Sequence, residues 1–407
     1  MSELIAKTRQ YPRQFWLLFW GMLLSTIGSS MIWPFLMVYA SERLNLPLTQ
    51  TASLVTINST ASLIMTFTAG QITDRAGRKM VMVVSLMANA VVYLFLSHAE
   101  TYTQFAILMV MLGASNPLYR VGADAMLADL ITPKKRADAY SVMRMSNNAG
   151  VAIGPSVGGF LAAASQYLAF YIASAGLFIF GLLILFFAVE TLPKEGKEET
   201  VRKKERWGGY DRVLKDGLFT STIANMIFGL ITASLMWVLL PVYATKEMGV
   251  PKQLYGFIPT TNALMVVFLQ VLVTQWTKKR PALRMIAFGM FFYAIGVGTV
   301  VLGTGFWGLW TSMVIISIGE LIIVPTSSTF VANLAPADMR GRYMSIYGLT
   351  WSLSIGIGPL LGGFLSDSFG PPATWIGGLF IGLASTFIFF IIDRTYRKKK
   401  LAPEVAF

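Results

Sequence analysis

The sequence predicts an all-α integral membrane protein: twelve transmembrane helices in two pseudo-symmetric six-helix halves. Three observations carry that prediction. Of the 407 residues 55% are hydrophobic and only 13% charged, with a mean hydropathy of +0.61, a balance too apolar for a soluble domain. Runs of about 20 apolar residues, the length that crosses a roughly 30 Å hydrocarbon layer, recur from Phe15 to Phe389. Of the 33 lysines and arginines, only Arg43, Lys246 and Lys252 fall in loops on the face opposite the N-terminus, and only Arg120 and Arg144 fall within spans. That positive-inside asymmetry puts both termini in the cytoplasm of a multi-pass cell (inner) membrane protein whose first partner is the lipid bilayer. Helices are the class that fits, because lipid-exposed backbone must satisfy its own hydrogen bonds and no ten-residue alternating strands are present.

The expected spans are 15–40, 50–70, 80–98, 103–128, 139–163, 166–190, 217–245, 254–275, 282–303, 306–332, 342–366 and 372–393. The first follows "MSELIAKTRQYPRQ" with no small-residue cleavage site after it, so it is expected to stay as a span. Spans two and three are joined by the polar loop "GQITDRAGRK", and span four carries Arg120 and Asp124 before ending near Asp129. In span five Gly150, Gly154 and Gly158 line one helix face, where a neighbour can approach closely, and Pro155 removes one backbone bond. The stretch 191–216, "TLPKEGKEETVRKKERWGGYDRVLKD", reads as a cytoplasmic linker with a short interfacial helix near Trp207. The expected divisions are therefore 1–190, 191–216 and 217–407.

The later spans repeat the earlier ones 204 positions on. "SMIWPFLMVYA" at Ser30 aligns with "SLMWVLLPVYA" at Ser234, matching Trp33 with Trp237 and Tyr39 with Tyr243. Asn58 falls on Asn262, Ala128 on Ala332, Arg136 on Arg340, and "IGPSVGG" on "IGPLLGG", which holds Gly358, Pro359 and Gly362. Six crossings separate the copies, so both keep one orientation. Plain close packing explains either glycine motif alone; recurrence favours paired bent helices where the halves meet.

Composition also closes off other functions. With no cysteine and the single His98 there is no disulfide, no thiolate or imidazole metal centre and no histidine-based catalysis to build. No phosphate-binding loop of the G-x-x-x-x-G-K-[ST] type occurs, so a gradient rather than ATP is the expected energy source, with no cofactor. No nucleophile, base and orienting group assemble into an enzyme. The formal charge of +13 sits in loops at a membrane surface, which accounts for it without nucleic acid.

The segment Gly70 to Lys79 resembles the G-x-x-x-D-R-x-G-R-[RK] signature of the major facilitator superfamily, and the resemblance extends over the whole chain through its span count, central loop and half repeat. "GVAIGPSVGG" is similar to the span-five motif of the proton-coupled multidrug antiporter branch, and Arg120 sits where those proteins carry a span-four arginine, although Val121 and Gly122 keep only a shorter version of that pattern. The second copy of the loop signature, "TQWTKKRPALR" at Thr274 to Arg284, lacks the aspartate and both glycines. Physically, Asp74 can cap helix dipoles or pair with Arg78, Gly70 and Gly77 permit close approach and a turn, and Asp129 is a further partner. The resemblance implies that this loop, with Arg75, stabilises an outward-facing state, and that the protein is a monomer; a structural or topogenic role for the charges is the alternative.

Two acids are placed well inside the hydrocarbon, Asp124 and Glu320, and such groups mark a relay or a counter-charge. Arg120 and Asp124 are four apart and share a helix face, so a neutral structural pair is the alternative to proton coupling. Glu320 has no basic residue in its own span, and "GELIIVPTSS" resembles span ten of multidrug antiporters, where an acid is associated with protons and cationic drugs. A buried structural carboxyl is the competing reading. Aromatic and polar residues of spans expected to face the midplane, Trp33, Tyr39, Asn58, Tyr119, Trp237, Asn262, Tyr347 and Trp351, join Glu320 as the candidate substrate pocket, since aromatic faces attract organic cations. Core packing is the plain alternative for each.

The expected function is proton-coupled efflux of lipophilic or cationic small molecules by alternating access. An exporter or flippase of a lysolipid, sugar or other metabolite would use the same fold. A non-transporting receptor would need neither Asp124 nor Glu320.

Overall fold

The computed structural model describes residues 11–165, 167–192, 210–336 and 339–401, which contain helices and no strand. Twelve helices are long: α1 (Arg13–Leu44), α2 (Leu48–Ala76), α3 (Arg78–Leu96), α4 (Tyr102–Leu130), α5 (Arg136–Ala164), α6 (Leu168–Phe187), α7 (Gly217–Val238), α8 (Phe257–Thr277), α9 (Ala282–Leu302), α10 (Gly305–Leu334), α11 (Arg340–Phe369) and α12 (Pro372–Leu401). A π-helical turn, Tyr243–Glu247, prolongs α7, and a short helix, Lys252–Tyr255, leads into α8. Eleven of the twelve, α7 and α8 taken with these extensions, are long and apolar enough to cross a bilayer. The exception is α5, which has the length but is diluted by Arg136, Asp138, Arg144, Asn147 and Asn148.

Local chemistry sets the ends. At α4 the Thr101 hydroxyl accepts the Gln104 N–H while the Gln104 side chain accepts the Thr101 N–H, a reciprocal capping box. At α7 the Asp216 carboxylate accepts the N–H groups of Leu218 and Phe219, and the Tyr343 hydroxyl donates to its other oxygen at 2.9 Å. The interfacial helix expected near Trp207 lies at Tyr210–Lys215, held by a fully buried Val213 against Phe219, Val331 and Tyr343; Trp207 itself is outside the described residues. Helix α6 stops at Phe187, short of the expected 190, and so leaves Glu190 outside the span.

The chain forms two compact units. The first is Met1–Leu46, Ser53–Lys197 and Val250–Ala263; the second is Pro47–Ala52, Glu198–Gly249 and Leu264–Phe407. Within the first, α1 packs on α5 and α6, and α3 on α4 and α6. Within the second, α7 packs on α11 and α12, and α9 on α10 and α12, the same pairings at the 204-residue shift. Single contacts repeat too. Arg136 Nε donates to the Ala128 carbonyl at 3.1 Å, and Arg340 Nε to the Ala332 carbonyl at 3.1 Å. A Cβ on Gly154 would strike Ser30 Oγ, and one on Gly358 would strike Ser234 Oγ.

Two short segments belong to the unit that the rest of their half does not. Pro47–Ala52, holding the first turn of α2, lies in the second unit, where Asp367 of α11 accepts the Leu48 N–H (3.0 Å), the Thr49 N–H (2.8 Å) and the Thr49 hydroxyl (2.6 Å). Val250–Ala263 lies in the first unit, where Lys252 pairs with Glu42 at 2.9 Å and the Ser156 and Thr260 hydroxyls are 2.7 Å apart. Glycine permits both placements: the backbone of Lys252 and Gln253 occupies the space a Gly159 Cβ would need, and that of Leu48 and Thr49 the space at Gly363.

Both glycine motifs pack inside their own unit, and each also meets a segment of the other half of the chain. Gly150, Gly154 and Gly158 receive Thr26, Ser30 and Met31 of α1 inside the first unit, and Gly358 and Gly362 receive Ser234, Leu235 and Leu239 of the second. Only the last glycine of each motif, turned about 100° from its neighbour, faces the exchanged segment. Pro155 and Pro359 lie inside α5 and α11.

Candidate functional site

The loop between α2 and α3 is held by a network of hydrogen bonds and ion pairs within the first unit. Gly77 turns the chain with φ +90°, a conformation L side chains rarely adopt, and a Cβ there would collide with the Glu190 carboxylate. Glu190 in turn accepts the Arg78 N–H at 3.0 Å and the Lys79 N–H at 3.1 Å, capping α3 from the far side of the fold. Arg78 bridges Asp74 and Asp129, at 3.2 Å to each, and Thr191 donates its hydroxyl to the same Asp129 oxygen. Burial would raise the Glu190 carboxyl, but the N–H groups of Leu192, Lys79, Thr191 and Arg78 outweigh it and hold the group below its ordinary value of 4.5. Arg75 is exposed beside the network. Gly70, by contrast, has no heavy atom within 4 Å of where a Cβ would lie, so it does not provide the close approach expected of it.

Sequence reasoning missed Glu190. The available signal was weak: an acid directly after the apolar run that ends at Val189, with a glycine rather than a side-chain cap before α3.

The two acids within the spans have different surroundings. Asp124 and Arg120 are both exposed on α4 and close no ion pair with each other, so the neutral pair weighed as the alternative to proton coupling is not formed in this structure. The Tyr140 hydroxyl donates to the Asp124 backbone carbonyl at 3.0 Å, anchoring α5 beside it. Arg144 likewise forms no ion pair among the described residues. Glu320 is half-buried on α10, within electrostatic range of the Tyr293 phenol of α9, which is only 2% exposed. Gly289 and Gly319 bring those helices together, with the Tyr293 ring against Gly319. The Tyr347 hydroxyl shares a 2.8 Å hydrogen bond with Ser327, so a cluster of Glu320, Tyr293, Ser327 and Tyr347 ties α9, α10 and α11 within the second unit. Neither Tyr293 nor Ser327 was singled out in the sequence, because a tyrosine in an apolar run has no signature and nothing distinguishes Ser327 from its neighbours Thr326, Ser328 and Thr329.

The aromatic and polar candidates divide by role. Tyr39 donates its hydroxyl to the Ser97 carbonyl at 2.8 Å, packs its ring on Phe105 and Phe170, and lines a small cavity with Met31, Phe35 and Lys252. Asn58 is buried with its amide on the Met109 carbonyl at 3.0 Å, tying α2 to α4. Trp33 and Tyr119 are half-buried against the first unit's core, Tyr119 with its ring beside Phe180. Asn262 is buried in the first unit; Trp237 is half-buried and Trp351 exposed in the second. Trp351, on the same helix as Tyr347, is the most accessible of the eight at 39%.

Helix pairings repeated in two six-helix units, with ionisable side chains carried inside the spans, define a multi-span membrane transporter, which moves solutes and is not an enzyme. The chain belongs to the Major Facilitator Superfamily, whose profile matches residues 18–359 and 222–406. Relatives include the Na(+), Li(+), K(+)/H(+) antiporter of Planococcus maritimus, 26% identical over 81% of this chain and 84% of that one. The multidrug resistance protein MdtH of Escherichia coli (strain K12 / DH10B) is 26% identical over 82% of both chains. Among solved structures, a bacterial homolog of the human lysosomal transporter Spinster, in an inward-facing and unoccupied conformation, shares the fold with a TM-score of 0.80 at 15% identity, covering 96% of this chain and 98% of that one.

Proposed function

We propose that the protein exports lipophilic or cationic small molecules across the cell membrane in exchange for protons, by alternating access, with both termini in the cytoplasm. The observation that carries this reading is Glu320, an ionisable side chain within α10 of an apolar bundle, set among Tyr293, Ser327 and Tyr347. A carboxyl in that setting changes its proton affinity when its surroundings change, which is what coupling to a proton gradient requires. Asp124 and Arg120 on α4 supply a second charged position. Half-buried Trp237 and exposed Trp351 offer aromatic faces to a cation. The halves 1–190 and 217–407, joined by 191–216, are the moving parts in this reading. Its relatives' names, a multidrug resistance protein and a cation/proton antiporter, agree in class and differ in cargo.

The test is flux in proteoliposomes. Vesicles holding the protein and loaded with ethidium are given a pH gradient, and release is compared with empty vesicles and with Glu320→Gln. Gradient-driven release that falls at least tenfold in the variant supports the proposal. Release unchanged by Glu320→Gln removes the proton-carrier role, and sodium movement without ethidium movement assigns the transporter to inorganic cations.

A further inference from the structure

The repeat that builds the two units also exposes a difference between them. In the first unit the carboxylates of Asp74, Asp129 and Glu190 gather at the start of α3, where Glu190 caps the helix. Shifted by 204 residues, those three positions are Lys278, Asn333 and Arg394, and the helix that starts there is α9, beginning at Ala282. Two basic residues and an asparagine thus replace the three acids, and the acid that remains nearby, the buried Asp393, is already paired with Arg284 of the first turn of α9 at 2.8 Å and with Arg397 at 3.0 Å. Helix α9 opens after Pro281, which offers no side-chain cap, so its first N–H groups keep their partial positive charge.

A cavity of about 270 Å³ lies at this position within the second unit, bounded by Lys278, Arg280, Ala282, Thr326 and Asn333. Thr326 is 8% exposed, and its hydroxyl is buried without a hydrogen-bond partner. A buried donor left unpaired is costly and calls for an acceptor that the protein does not supply. Arg280 is held with its guanidinium 4.2 Å above the Trp276 ring, and from there it also borders an open groove along Leu272, Gln275 and Lys279. Above that groove α8 shows a run of exposed apolar side chains, Phe268 (71%), Val271 (64%) and Leu272 (63%). Charge at one end and exposed hydrocarbon along the helix match the two ends of a lipid.

We infer that this cavity is a binding site for the phosphate headgroup of an anionic phospholipid, with an acyl chain lying along Phe268, Val271 and Leu272. Lys278 and Arg280 supply the counter-charge, the α9 N-terminus and the Thr326 hydroxyl donate hydrogen bonds, and Trp276 marks the level of the membrane interface. The site does not depend on the cargo or on proton coupling.

The test uses the full-length chain, delipidated in detergent and observed by native mass spectrometry with added phosphatidylglycerol or phosphatidylcholine. A single retained phosphatidylglycerol, in preference to phosphatidylcholine, is expected. Removing both charges with Lys278→Gln and Arg280→Gln lowers that retention by about fivefold per charge, whereas Lys215→Gln, a basic residue outside the cavity, leaves it unchanged. Thr326→Val, nearly the same shape without the hydroxyl, by itself lowers retention relative to the wild type. Equal retention of the two lipids, or a double variant that retains phosphatidylglycerol as the wild type does while remaining monodisperse and helical, overturns the assignment. So does displacement of the lipid by millimolar inorganic phosphate, which makes the occupant a free anion.

Discussion

At the residue scale, the loop between α2 and α3 depends on one glycine and one acid that are far apart in sequence. Gly77→Ala adds a Cβ against Glu190 in a backbone conformation that disfavours it, and the expected cost is about 1–3 kcal/mol, read as a lower unfolding temperature in detergent. Glu190→Gln keeps the shape but removes the charge facing the α3 N-terminus, for about 0.5–1 kcal/mol. The pH dependence follows from the direction of the shift. Glu190 is held below its ordinary value of 4.5 in the folded chain, so its contribution is complete above that value and is lost as pH falls through the lower folded-state value. A wild-type thermal profile that falls more steeply below pH 4.5 than that of Glu190→Gln would check this. The signature gave Asp74, Gly77 and Arg78 as a group because they are close in sequence; Glu190 was hidden because its role depends on where α6 ends. That Tyr39 and Asn58 each give a hydrogen bond to a backbone carbonyl was hidden for a related reason, since residue type does not show which partner a polar group meets.

At the scale of elements, the spans were legible because hydrophobic length is almost the whole requirement for crossing a bilayer. Their ends were less so: most helices run a few residues beyond the expected spans, as α2 does to Ala76 and α11 to Phe369, and side-chain caps mark the starts of α4 at Thr101 and α7 at Asp216. The glycine motifs were legible as close-approach faces, but not which neighbour each glycine receives, because one step along a helix turns the face by about 100°. Gly154→Leu is therefore expected to wedge α1 from α5 and to destabilise the protein by several kcal/mol, with overpacking alone worth about 1–3. Gly363→Leu is expected to disturb the Leu48–Thr49 turn while leaving the second unit's own helix packing intact, so transport should fall more than stability. Asp367→Ala removes three hydrogen bonds from that turn, a cap worth about 1 kcal/mol, and limited proteolysis near residues 45–50 should detect the loosened chain. Further down the second unit, the buried Asp393 accepts from Arg284 at 2.8 Å and Arg397 at 3.0 Å. Asp393→Ala is expected to cost about 1 kcal/mol, because both guanidinium groups stay partly solvated when their shared partner is lost, measurable as a loss of monodisperse protein on heating.

For the whole molecule, the 204-residue repeat was readable from a handful of matched positions, and it forecast the paired architecture because each match fixes a helix and its depth. What could not be read was the exchange of short segments between units, since Pro47–Ala52 and Val250–Ala263 carry no composition that marks them as belonging elsewhere. That exchange bears on how the chain can be made. The first unit is not complete when the first six helices have emerged from the ribosome; it waits for Val250–Ala263, and a helix turn finished early, at Leu48 and Thr49, waits for an aspartate more than three hundred positions later. During synthesis the early helices therefore wait in the membrane with part of their final contact surface uncovered until those later residues arrive.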